Sequence, residues 1–174
     1  MRYKVIKKQP YSTNCFICGK ENPGGLQADF YELDTGEIAC VFCAKQGHEG
    51  HPGILHGGVI CAILDETAGR SMTAREPKTS AYTVDLQIQF LKTVPSGQIL
   101  TAIARVDEIK EKVYIASGEI YLTNGQIAAK CVGTYYRIPP SKTHESSTYH
   151  EALMQDTVFT EIEIPDYDPK EEDK

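Results

Sequence analysis

The stretch His56–Gly69, HGGVICAILDETAG, decides the fold. It opens on a histidine and two glycines, runs apolar from Val59 to Leu64, and then carries Asp65 and Glu66. That apolar run is broader than one amphipathic stripe, so 57–70 is expected to form a helix covered on most sides. The first N–H groups of a helix lack internal partners, and its dipole makes that end positive. Glycine bares those groups to a ligand. His56, Gly57 and Gly58 therefore read either as a tight turn into the helix or as donors to a developing oxyanion. Asp65 follows Gly58 by about two turns and shares its face. Among Ile63, Leu64 and Ala68 its carboxylate is expected to be poorly solvated, and such a group can serve as a general base or a nucleophile. The bland alternatives put Asp65 where the helix meets water, or in an ion pair with Arg70 or Lys78. Glu66, about 100° further round, reads as structural.

Outward from the helix the pattern changes period. Upstream, 26–33 and 36–45 form a hairpin around Asp34–Gly36, followed by the Gly- and His-rich loop GHEGHPGILHGG. Downstream, Tyr82, Val84, Leu86, Ile88 and Phe90 alternate with Thr83, Asp85, Gln87 and Gln89, which predicts a strand. That alternation puts Thr83 on the polar face. Strands are also expected after Ser96–Gly97, from Glu111 to Leu122, and from Ile127 to Ile138 beyond the Asn124–Gly125 turn. Residues 1–25 are turn-rich and end in NPGG. The boundaries drawn are a domain over 1–140 and an extension over 141–174. The extension is expected to hold a short helix around 149–155, a strand at VFTEIEI, and an acidic, disordered end. His144 and His150 read as surface residues. The fold class is α+β, an antiparallel sheet wrapped around one long central helix. One such sheet leaves the helix imperfectly covered, so a dimer or tetramer that continues the sheet across an edge is expected.

The whole chain sets the bounds. It has 174 residues, 41% hydrophobic and 24% charged, with formal net charge -6. No basic cluster suits nucleic acid, no apolar run suits a membrane span, and MRYKVIKKQP lacks the apolar core of a signal peptide. A cytoplasmic location is expected. The cysteines include CFIC (Cys15, Cys18) and CVFC (Cys40, Cys43), separated by 21 residues. Two C-x-x-C pairs can hold zinc, but this separation lies beyond the usual spacing. A strand at EIACVFCA would turn Cys40 and Cys43 to opposite faces. Free thiols are the expectation, with no metal and no cofactor.

HGGVICAILDETAG resembles the central helix of PaaI-like hotdog-fold acyl-CoA thioesterases, in the 4-hydroxybenzoyl-CoA thioesterase superfamily. EGHPGILHGG, AYTVDLQIQFLKTVPSGQ and CFICGKENPGGL resemble the same family in the same order, covering roughly 15–138. The resemblance implies a hotdog fold and a cleft at a dimer interface. It implies that Gly57, helped by Gly58, donates to the thioester oxygen, and that His56 shapes that corner. It further implies that Asp65 of the other subunit activates water or attacks directly, and that Thr83 positions the water. Some relatives carry Asn or Gln where this chain has Gly50; His48, Glu49 or His51 would substitute. Tyr82, Phe90 and Tyr114 are candidate pocket residues. The expected function is hydrolysis of an acyl-CoA to free acid and CoA. The alternative from another class is a non-catalytic acyl-CoA-binding or sensing protein; the hydration motif of a hotdog dehydratase is not seen.

Overall fold

In the computed structural model, residues 1–77, 79–138, 149–150 and 159–167 are described. The strands are β1 (Arg2–Lys8), β2 (Tyr11–Ser12), β3 (Asp29–Leu33), β4 (Ile38–Cys43), β5 (Glu49–His51), β6 (Ile54–Leu55), β7 (Ser80–Phe90), β8 (Ile99–Ile109), β9 (Val113–Tyr121), β10 (Ile127–Ile138), β11 (Tyr149–His150) and β12 (Glu161–Glu163). One long helix, α1 (Gly57–Arg70), separates β6 from β7. Eight strands form one antiparallel sheet in the order β12-β1-β3-β4-β8-β9-β10-β7.

The sheet wraps α1, which touches β4, β7, β8, β9 and β10. Ile60, Ile63, Leu64, Thr67 and Ala68 are its buried residues, the i, i+3, i+4, i+7, i+8 stripe of a helix seated on one surface. Leu64 is fully enclosed, which contributes on the order of 2 kcal/mol. The expectation of cover on most sides is not met within one chain: Val59, Cys61 and Ala62 are only half-buried and Gly58 is exposed. A sheet curved to one side of a helix leaves its far side open.

Three other readings are corrected. Residues 1–25 include the strand β1, in which basic residues mask the alternation and only Val5 is buried. Pairing with β3 and β12, distant in sequence, makes it a strand. In the extension, β11 pairs with β2, while 151–155 of the expected helix lie outside the described residues. So do His144 and the acidic end from 168. β12 lies within VFTEIEI, and Ile162 and Ile164 pack with Val5, Tyr31, Leu33, Ala39, Ile103 and Tyr121 in a second core on the sheet face away from α1.

The third correction concerns β7. Leu86 pairs with Gly133 and Asp85 with Thr134, but the next partner, Tyr135, meets Thr83. Val84 is the extra residue of a β-bulge, which changes the phase of the strand. Beyond the bulge, Leu86 and Ile88 pack toward the α1 core; before it, Ala81 does. Tyr82 and Val84 are 69% and 64% exposed instead of sharing a face with Leu86. The bulge carries Thr83 from the polar face to the helix side.

The second core makes the C-terminal strand structural. Ile162→Asp would put a charge among apolar side chains and is expected to destabilise the chain by at least about 2 kcal/mol. Glu163→Ala removes only an exposed 3.5 Å contact with Arg2 and should change stability by less than about 0.5 kcal/mol. Urea unfolding compares the two; equal midpoints would mean that β12 carries no load.

Candidate active site

α1 begins at a cap made by its own histidine. His56 is extended (φ -63°, ψ 135°), and its Nδ1 accepts the Gly58 N–H at 2.9 Å. An imidazole accepting at Nδ1 carries its proton on Nε2. The His56 carbonyl accepts from Val59 and Ile60. The Gly58 N–H is thus spent within the chain, and among the described residues no group accepts from the Gly57 N–H. Gly57 is open enough that a methyl group there would reach only the Phe90 ring, at 3.7 Å.

Asp65 lies about two turns further along the helix. Its Oδ1 accepts from the Thr83 hydroxyl at 2.9 Å and from the Tyr135 hydroxyl at 3.3 Å. Tyr135 also lies 3.3 Å from the Asp65 carbonyl oxygen. Thr83 reaches Asp65 because the bulge sets it opposite Tyr135 on the helix side of the sheet. Asp65 is half-buried in one chain, against the expectation of a poorly solvated group, because the outer side of α1 is uncovered. Arg70 pairs with the neighbouring Glu66, at 2.7 Å. Lys78 lies outside the described residues.

Tyr135 was not singled out in the sequence, although it continues the alternation of Cys131 and Gly133 along β10. It is 1% exposed, and its ring stacks on Tyr114 at 5.2 Å. Gly133 is required beneath it: a Cβ there would lie 2.6 Å from the Tyr135 ring. Burial first, and then the Asp65 charge, push the Tyr135 phenol well above the ordinary value of 10. It stays protonated and serves Asp65 as a donor. Asp65, Thr83 and Tyr135 line a cleft of about 340 Å³ with Glu66, Gly69 and Arg70.

The remaining candidates separate. Tyr114 is buried in the core and donates to the Gly69 carbonyl, whereas Tyr82 and Phe90 are exposed. His48 is buried; its Nδ1 accepts from the Lys45 N–H, and its Nε2 lies 3.2 Å from the Gly24 carbonyl, tying the loop to NPGG. Glu49 accepts from Ser96, and His51 is exposed. Gly50 packs on His56 so closely that a Cβ would meet its ring at 3.1 Å. The two C-x-x-C pairs do not converge: Cys40 is buried on one face of β4 and Cys43 is exposed on the other. Cys15 and Cys18 instead face Glu66.

The sheet about a single long helix, with the HGG turn at its start and Asp65 about two turns on, defines the hotdog class. This chain belongs to the thioesterase superfamily, whose family model matches residues 52–129. An inferred esterase of Saccharolobus solfataricus, SSO1253, is 31% identical over 121 residues, which are 68% of this chain and 80% of that protein. The mouse acyl-coenzyme A thioesterase THEM5 is 27% identical over 119 residues, 68% of this chain and 47% of its own length. The chain therefore spans about half the length of that curated relative. The solved E. coli PaaI protein, from the phenylacetic acid degradation operon, superposes with a TM-score of 0.59 at 21% identity, covering 66% of this chain and 81% of that one. Among the described residues no helix is long and apolar enough to cross a membrane.

Burial of Tyr135 has a pH signature. Its folded-state pKa lies above the unfolded value of about 10. The unfolded chain therefore releases this proton first, and stability falls as pH rises above about 10 toward the folded value. In Tyr135→Phe the fall should be shallower, and urea midpoints on either side of pH 10 measure it. An unchanged slope would mean that the phenol is not buried as described.

Proposed function

We propose that this chain is an acyl-CoA thioesterase whose working unit contains at least two copies. The observation that carries the reading is Asp65, held at the cleft by the Thr83 and Tyr135 hydroxyls. Both donors meet Oδ1, which leaves Oδ2 to accept a proton from water or to attack a carbonyl carbon. The donor for the oxyanion is the unspent Gly57 N–H, with His56 fixing the turn by holding Gly58. Gly57 precedes Asp65 by eight residues, about 12 Å along the helix. One α1 cannot present both groups to the same carbonyl, so the Gly57 of one copy would serve the Asp65 of another. Water then adds to the thioester carbon, its proton passes to Asp65, the oxyanion collapses, and the sulfur leaves to take a proton as the CoA thiol. The thioester is already activated, so an oriented base and one donor suffice.

The surface supports a second copy. β7 is an edge strand of 11 residues, and Phe90 beside Gly57 is 53% exposed. A long apolar edge is a template for strand pairing, and the half-covered side of α1 adjoins it. Together these features favour pairing through β7, with the cleft at the joint. The names of relatives that refer to acyl-coenzyme A support the substrate class. Sedimentation at micromolar concentration should give at least a dimer; a stable, active monomer would overturn the shared site.

Asp65→Asn is expected to lower turnover by at least about a hundredfold, the size of a lost general base, with folding intact. Thr83→Ala should cost less, because the Tyr135 hydroxyl still holds Asp65. Asp85→Asn, on the other side of the bulge, is the control and should stay near wild type. Thiol release from a panel of acyl-CoA substrates compares the three. Near-wild-type hydrolysis by Asp65→Asn would remove this mechanism, and tight binding without turnover by the wild-type chain would favour the sensing protein.

A further inference from the structure

The CFIC loop is not used by the thioesterase reading, yet it is built closely around its sulfurs. Cys15 Sγ accepts the N–H groups of Ile17 at 3.3 Å and Cys18 at 3.4 Å. Cys18 Sγ accepts the N–H of Ser12 at 3.4 Å. The Cys15 carbonyl accepts from Gly19 at 3.0 Å. Gly19 cannot carry a side chain, since a Cβ would lie 2.5 Å from the Cys15 oxygen and 2.6 Å from the Thr13 oxygen. The chain thus folds tightly enough to bring both sulfurs together.

The third member comes from α1. Glu66 Oε2 is 3.2 Å from Cys15 Sγ, and the two sulfurs and the carboxylate oxygen lie within 4.8 Å of one another. Arg70 fixes the other oxygen, with Nε and Nη2 at 3.1 and 2.7 Å from Glu66 Oε1. Its Nη2 is also 3.3 Å from Cys18 Sγ. Oε2 is therefore left facing the sulfurs. Two thiolates with one carboxylate are a donor set for a borderline-soft, tetrahedral cation. At zinc bond lengths, ligand atoms stand roughly 3.5–3.8 Å apart, so the cluster closes with shifts of about an ångström.

We propose that Cys15, Cys18 and Glu66 form a Zn²⁺ site that ties the N-terminal loop to the central helix. Binding replaces two thiol protons: Zn²⁺, two thiols and one carboxylate give a bis-thiolate carboxylate complex of charge -1 and two released protons. The Arg70 guanidinium beside it brings the local charge to zero. Three protein ligands leave a fourth position for water. Cys40 and Cys43 take no part, because β4 turns them to opposite faces. Glu66 is the residue after Asp65, so the metal would stiffen the part of α1 that carries the candidate base.

The test uses the full chain, purified under reducing conditions. Elemental analysis should find about one zinc per chain. After chelation, cobalt(II) should restore thiolate-to-metal charge-transfer absorption, with release of two protons per metal. Cys43→Ser should retain the full equivalent. A Cys15→Ser, Cys18→Ser double variant, checked for folding by circular dichroism, should retain none, and Glu66→Gln should bind at least about tenfold more weakly. Wild-type metal content in the folded double variant would overturn the site. So would a wild-type chain with all six thiols titratable that gives no cobalt band, a measurement that holds even if the double variant fails to fold.

Discussion

How closely α1 approaches β10 governs the geometry of the candidate site. The Tyr135 ring lies between the two elements, with Gly133 of its own strand beneath it and Gly69 of the helix above. A Cβ at Gly69 would come within 3.3 Å of the ring, and one at Gly133 within 2.6 Å. Tyr114 stacks beside it and donates to the Gly69 carbonyl. Two glycines thus let an aromatic pair fill the gap that larger residues would occupy, while keeping helix and sheet in contact. The same arrangement delivers the Tyr135 hydroxyl to Asp65. Packing and chemistry share one set of atoms here, and loosening the helix would move the carboxylate with it.

The bulge at Val84 brings a second donor to the same carboxylate. Without it, the period of β7 would carry Thr83 to the opposite face of the sheet, away from Asp65. With it, Ala81 and Thr83 join Leu86 and Ile88 on the helix side. Bulges re-aim side chains at a local cost in strand pairing. In this chain one bulge converts a polar position in an alternating strand into a donor for the carboxylate.

Among the described residues the outer side of α1 and the edge β7 are open together. The sheet curves to one side of α1, so Val59, Cys61, Ala62 and Asp65 remain half-buried, and the edge β7 carries exposed apolar residues beside them. Among the described residues nothing accepts from the Gly57 N–H, and Asp65 keeps Oδ2 free of the Thr83 and Tyr135 donors, about two turns further along one rigid rod. A second copy pairing along β7 would cover the helix and bring the two groups to one carbonyl. At the other border, Val5, Ile162 and Ile164 pack on the outer sheet face.

The sequence by itself determined the helix, its limits at 57–70, and the strands from 80 to 138. In these segments local periodicity and turn residues agree with the tertiary environment. It also marked Asp65, the HGG turn and, through family resemblance, Thr83. Tertiary structure decided what period could not express. RYKVIKK became a strand because β3 and β12 flank it, and Cys15, with Cys18 beside it, gained Glu66 as a neighbour from 51 residues away. Thr83 changed face because of one unpaired residue, and Tyr135 became a partner of Asp65 because α1 packs against β10. Periodicity records which face a residue prefers when its strand is regular. A bulge, a pairing between distant segments and a contact across a glycine are properties of two chain segments at once, so only the folded chain could settle them.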